Sequence, residues 1–208
     1  MKNIVIIGPP GSGKDTQIEK MHEYFDFEII STGDIARSLA AKNNKYKEVV
    51  EAGGLLDDSV LTGELDRTVS GAPADMGLVF DGYPRTLHQA ELLNEILLHH
   101  NRILDYVIYI GLDEAAVVTR LSKRFVCTKC GHNVEPGSGK CAVCGGELTR
   151  RHDDEPVVII RRVQTFLENT LPLISYYRNK GVLVEIEGDQ SVEEVAEDIR
   201  EKLGYAGR

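Results

Sequence analysis

An apolar run, Ile4-Val5-Ile6-Ile7, leads directly into Gly8-Pro9-Pro10-Gly11-Ser12-Gly13-Lys14-Asp15-Thr16-Gln17. A buried strand that ends in a glycine-rich turn and continues as a helix makes such a segment a phosphate cradle. Gly8, Gly11 and Gly13 lack a Cβ, so the loop can turn tightly and present successive backbone N–H groups to a polyphosphate. Lys14 supplies a point charge for the outer phosphates. Asp15 stands where the strict motif has Ser or Thr, with Thr16 one place later.

Beyond this loop, short apolar runs alternate with helix-like stretches, the signature of a parallel sheet built from βαβ units. Strands are expected at Asn3–Ile7, Phe27–Ile30, Leu78–Asp81, Tyr106–Ile110 and Val182–Ile186. Helices are expected at Lys14–Tyr24, Gly33–Lys42, Ser59–Ser70, Thr86–Asn101, Glu114–Lys123, Val157–Asn179 with a kink at Pro172, and Val192–Leu203. Asp113 and Ser191 suit N-caps, because their side-chain oxygens accept the orphan N–H groups of a first turn. At 208 residues the chain suffices for one α/β domain with insertions. No stretch approaches the ~18 apolar residues of a membrane span, so the expectation is a cytoplasmic chain with no membrane partner.

The net charge of −9 argues against general nucleic-acid binding, which favours basic surfaces. The charge is uneven, however. Arg120 to Arg162 holds nine Lys/Arg against five Asp/Glu, a local +4 that leaves −13 for the remainder. Basic residues concentrated in this way suit a pocket for small polyanions.

Between Phe125 and His152 the alternation breaks. This stretch carries all four cysteines, several glycines and few large apolar side chains, too few to build a core of its own. Cys127-Thr128-Lys129-Cys130-Gly131 and Cys141-Ala142-Val143-Cys144-Gly145 are separated by ten residues, a spacing that brings four thiolates to one tetrahedral metal. Four sulfurs leave no open coordination position, so a structural zinc is expected at Cys127, Cys130, Cys141 and Cys144. Iron accepts the same ligands, and disulfides are disfavoured in the cytosol. A zinc ribbon can also be a binding module, but this one offers no aromatic stacking platform beyond Phe125.

Arginines punctuate the strand ends. Ser31-Thr32-Gly33-Asp34 precedes Arg37, and Asp81-Gly82-Tyr83-Pro84-Arg85-Thr86 precedes Gln89. Arg120 and Arg124 share one helix face, while Arg151-His152-Asp153-Asp154 closes the cysteine segment ahead of Arg162. Together, in this order, these features resemble the adenylate kinases along nearly the whole chain, and the cysteine segment resembles the metal-bearing lid of part of that family. Gly181 to Gln190 is similar to the family's closing strand and the loop beside the ATP base.

The resemblance implies an α/β fold with a parallel five-stranded sheet flanked by helices. It implies a core at 1–30, 61–124 and 153–208, a small helical nucleoside-monophosphate-binding insertion at 31–60, and a zinc-ribbon-like lid at 125–152. The activity implied is reversible, magnesium-dependent transfer of the ATP γ-phosphoryl group to AMP, giving two ADP. ATP then falls to Gly11, Ser12, Gly13, Lys14, Asp15, Thr16, Arg120, Arg124 and Gln190. AMP falls to Thr32, Arg37, Gly54, Leu55, Leu56, Gly82, Tyr83, Pro84, Arg85, Gln89, Arg151 and Arg162. Lys14, Arg37, Arg85, Arg120, Arg151 and Arg162 surround the transferring group, with Asp81, Asp153 and Asp154 as acidic partners and Asp81 aiding magnesium through water. The family expectation for assembly is a monomer.

The residues suit this chemistry independently, since phosphoryl transfer depends mainly on positioning and on electrostatic stabilisation of spread charge. Arginines give forked, bidentate donors for it. Some positions depart from the family pattern: Asp15 replaces a glycine, Gly54 stands where lysine is frequent, and Val157 where a carboxylate is frequent. The lid is also short. A UMP or CMP kinase shares fold and mechanism. Thr32 and the Arg85-Thr86-x-x-Gln89 arrangement favour AMP, because an amide can pair with adenine's amine and ring nitrogen. A nucleotide-binding regulator, whose ribbon contacts a partner, is the reading from another class.

Overall fold

The computed structural model describes residues 2–52, 54, 56–134, 139–151 and 154–205. The chain opens with β1 (Asn3–Ile7), α1 (Lys14–Met21), β2 (Phe27–Ser31), α2 (Thr32–Lys42), α3 (Asn44–Glu51) and α4 (Asp58–Gly71). It continues through β3 (Gly77–Asp81), α5 (Leu87–His99), β4 (Tyr106–Gly111) and α6 (Glu114–Lys123) to three short strands, β5 (Phe125–Cys127), β6 (Asn133–Val134) and β7 (Leu148–Thr149). α7 (Pro156–Thr165), a π-helical turn (Phe166–Thr170), α8 (Pro172–Asn179), β8 (Leu183–Glu187) and α9 (Val192–Lys202) complete it.

Five strands form one parallel sheet in the order β2-β3-β1-β4-β8. Val5 of β1 lies level with Phe80 of β3 on one side and Val107 of β4 on the other. Alternate residues of β1 enter different cores, which is why its apolar run is continuous rather than alternating. Val5 and Ile7 pack with Leu65, Leu93 and Tyr177 from α4, α5 and α8. Ile4 and Ile6 pack with Ile18, Met21, Val195 and Ile199 from α1 and α9. All four β1 side chains are at most 3% exposed, each contributing about 1.5–3 kcal/mol by burial.

Caps set several helix starts. Asp113 Oδ1 accepts from the Ala116 N–H at 2.7 Å, and Ser191 and Glu194 form a reciprocal capping box. Thr86, expected inside its helix, instead caps α5 by accepting from the Gln89 N–H. α3 is not announced by the sequence pattern, because its amphipathic run is short and none of its residues is buried. The long helix expected at Val157–Asn179 is three pieces rather than one kinked rod. Pro172 has no N–H and its ring crowds the preceding turn, and the chain meets this with a π turn closed by Leu171 N–H to Phe166 O at 2.9 Å.

β5, β6 and β7 form a separate antiparallel sheet in the order β6-β5-β7. Among the described residues from 125 to 151, the buried ones are Cys127 and Cys141. Among the described residues, no apolar core lies beneath this sheet. No helix of the described residues is long and apolar enough to cross a membrane.

Candidate active site

β1 delivers the phosphate loop to the carboxyl edge of the sheet, where open α/β sheets place their ligands. Gly13 precedes α1 with φ +87°, a left-handed conformation that side chains resist. A Cβ on Gly8 would lie 2.5 Å from the Ser12 hydroxyl and 2.7 Å from the Ile110 carbonyl oxygen, so the backbone closes there only around glycine. Lys14 Nζ donates to the carbonyl oxygens of Gly8 and Pro9 at 3.0 and 3.1 Å. Burial lowers the Lys14 ammonium from its usual value, against the pull of Asp81 and Asp15. Asp81, at the end of β3, is raised by burial and by the Asp15 carboxylate, with Lys14 and Arg85 opposing. A partly desolvated carboxylate with a second acid nearby is a donor set that a hard, oxygen-binding cation fits.

Above this edge opens a cleft of about 1030 Å³. Gly11, Ser12, Gly13, Lys14, Asp15, Thr16, Arg120, Arg124 and Gln190 all line it, as does Asp81. A smaller cavity of about 110 Å³ is lined by Thr32, Gly54, Leu56 and Gln89. Gly82, Arg37, Arg85, Arg151 and Arg162 line both. The arginines thus stand along a common wall between the two spaces.

Five of the arginines have named partners. Arg124 grips Asp154 with two bonds, Nε to Oδ2 at 2.8 Å and Nη2 to Oδ1 at 2.7 Å, and Arg162 Nη1 shares Oδ1 at 3.1 Å. The Asp154 side chain is 3% exposed, so it lines neither cavity and acts by orienting two guanidiniums. Arg85 Nε donates to the Gly82 carbonyl at 2.8 Å, and the Arg85 carbonyl accepts from the Thr170 hydroxyl at 3.0 Å. Arg120 leans on the loop after β8 through the Gly188 carbonyl, and Arg37 pairs with Asp34 at 2.6 Å.

Tyr83 and Pro84, expected at the nucleotide, are buried and line neither cavity. Tyr83 packs into the core beside the sheet, where burial raises its hydroxyl to about 12. Leu55 and Asp153 lie outside the described residues. Gln89 faces the smaller cavity with both ends of its amide already engaged, Oε1 by the Arg85 N–H and Nε2 by Asp58.

The three-stranded lid sheet touches the phosphate loop's helix. Asn133 Nδ2 donates to Asp15 Oδ2 at 2.7 Å, and His132 Nδ1 lies 3.3 Å from Glu19 Oε1. Asp15, an exposed residue, is thereby paired across the cleft. Neither this contact nor the roles of Asp58 and Thr170 carried a signal in the sequence. Short polar residues without fixed spacing reveal their partners only once the chain is folded.

The Sγ atoms of Cys127, Cys130, Cys141 and Cys144 all lie within 4.8 Å of one another, and none is in a disulfide. Thiolates 2.3 Å from a tetrahedral zinc would stand about 3.8 Å apart, and the Cys127–Cys144 and Cys130–Cys141 pairs measure 3.4 and 3.7 Å. Both knuckles close alike, Gly131 N–H on Cys127 O and Gly145 N–H on Cys141 O. Backbone N–H groups, that of Cys130 foremost, outweigh burial and lower the Cys127 thiol to about 6. At Cys144, by contrast, the Gly146 N–H is outweighed by the neighbouring thiols, which raise the thiol to about 12, so the case for a metal rests on the sulfur geometry. The cluster fits a metal ion.

Known proteins are similar to this chain along most of its length. A family model described as adenylate kinase matches residues 6–182. An adenylate kinase of Geobacillus sp. (strain WCH70) is 39% identical, over 97% of this chain and 98% of its own length. One from Fervidobacterium nodosum is also 39% identical, over 97% of each chain, and one from Archaeoglobus fulgidus is 37% identical over 95% of each. With this likeness running almost end to end, through the phosphate loop and the arginine wall alike, the chain belongs to the adenylate kinase family.

Proposed function

We propose that the chain transfers the γ-phosphoryl group of ATP to AMP, reversibly and with magnesium, giving two ADP. The observation that carries this reading is the common wall: Arg37, Arg85, Arg151 and Arg162 line both the large cleft and the smaller cavity. A triphosphate seated on the loop and Lys14 directs its terminal group toward that wall, and a monophosphate in the smaller cavity presents its phosphate from the other side. The guanidiniums then neutralise charge on donor, acceptor and the group in flight. A general base is unnecessary, because the acceptor phosphate is largely dianionic at pH 7. Magnesium carried by ATP would supply further neutralisation of its phosphate oxygens, and Asp81 would hold it.

In this reading 31–60 binds the monophosphate, 125–152 is the lid over ATP, and the remainder is the core. The lid carries zinc at Cys127, Cys130, Cys141 and Cys144, and the protein acts as a monomer. Excluding water favours transfer over hydrolysis and strengthens every arginine contact. AMP is favoured over pyrimidine monophosphates by Gln89 and Thr32 at the smaller cavity, and the relatives above all bear the adenylate kinase name. The test is ADP formation from Mg·ATP with AMP, CMP, UMP and GMP offered in parallel. Strong preference for AMP supports the reading; preference for CMP or UMP, or ATP binding without turnover, overturns it.

A further inference from the structure

Gln89 is 1% exposed and lines the smaller cavity from the first turn of α5. Its amide has an accepting oxygen at one end and a donating nitrogen at the other. The two ends are nearly equal in size, so packing alone does not choose between them. Two partners do. The Arg85 backbone N–H donates to Oε1 at 2.7 Å, and Nε2 donates to Asp58 Oδ1 at 2.6 Å. A half-turn of the amide would set its oxygen against a carboxylate and its NH₂ against an N–H.

We propose that Asp58 determines the base selectivity of the acceptor site by fixing which way round Gln89 presents its amide; this deepens the phosphotransfer reading above and rests on it. After its two internal bonds Gln89 retains one lone pair and one N–H, enough to read one base edge. Adenine offers an amine donor beside an accepting ring nitrogen. A 6-oxopurine offers the reverse, an accepting oxygen beside a ring N–H. A locked amide pairs with the first and sets like groups against the second. The carboxylate makes the Asp58 contact charge-assisted, and so stronger than the neutral contact to Arg85. Asp58 also begins α4, where an acid favours the helix dipole. That role bears on stability and leaves the choice of base untouched.

The experiment measures kcat/KM for AMP and for inosine monophosphate at saturating Mg·ATP, in the unaltered protein, Asp58→Asn and Asp58→Ala, alongside thermal midpoints. Asparagine can meet either orientation of Gln89, and alanine meets neither. The AMP-to-IMP preference is expected to fall by about tenfold in both variants, whatever happens to the midpoint. A preference that stays within about twofold of the unaltered value in either folded variant overturns the proposal. Should the unaltered protein fail to use AMP, the phosphotransfer reading and this inference fall together. AMP turnover with an unmoved preference removes this inference alone.

Discussion

Asp154 holds two guanidiniums with one carboxylate, and its burial decides what the contact is worth. Exposed ion pairs contribute little, but removing one partner of a buried pair leaves uncompensated charge and costs about 3–5 kcal/mol. Asp154→Asn keeps the shape and deletes the charge, so Arg124 and Arg162 lose their common anchor. A loss of about 3 kcal/mol in thermal or urea melts is expected, with kcat/KM for phosphotransfer down at least about a hundredfold. An unchanged kcat/KM would show that the arginines are positioned by other groups. Asp15 is the opposite case. Its partner is Asn133 of the lid rather than an arginine of the wall. Asp15→Gly is expected to remain active with the KM for ATP moved a few-fold, as for a rim contact; loss of turnover would place Asp15 in the chemistry. The sequence displayed the loop, the arginines and the cysteines because each belongs to a pattern with fixed spacing. It did not display that Asp154 stands behind the wall, or that Tyr83 turns into the core, because both depend on which way a side chain points after packing.

At the scale of elements, the π turn at Phe166–Thr170 joins the far helix pair to the site. It brings the Thr170 hydroxyl, 6% exposed as a residue, to the Arg85 carbonyl at 3.0 Å. Such turns cluster at functional sites, and here the turn braces the backbone of a wall arginine. Thr170→Val keeps the volume and removes the bond, leaving the Arg85 carbonyl without that donor. The expected cost is about 1–2 kcal/mol in stability, with kcat falling more than the KM for ATP. Equal kcat in the variant would reduce Thr170 to packing. The strands were readable because apolar runs bounded by glycine and aspartate have few alternatives. Pro172 announced a break, but proline states only that a straight helix fails, not which irregular turn replaces it. α3 and the three lid strands are not legible in the sequence because none buries an apolar face, so hydrophobic periodicity has nothing to record.

For the whole molecule, two kinds of cohesion operate side by side. The sheet is held between two apolar cores, whereas the described lid buries only Cys127 and Cys141. In the proposed reading, metal ligation substitutes for a core in the lid. Removing the metal with a strong chelator, or by Cys127→Ser, is expected to expose 125–151 to protease while the core melts nearly as before. Phosphotransfer should be lost with it. Elemental analysis of the intact protein should find one metal ion per chain, zinc rather than iron. A metal-free protein that keeps both protease resistance and turnover would contradict this division. The central claim is that two nucleotides meet across one arginine wall, and isotope tracing tests it most directly. ATP labelled in its γ-phosphoryl group is mixed with AMP and magnesium, and the label is followed with time. Label appearing on the β-phosphoryl group of ADP, with none in inorganic phosphate, is the predicted result. Label released as free phosphate, or retained on ATP while both nucleotides are bound, would contradict the account.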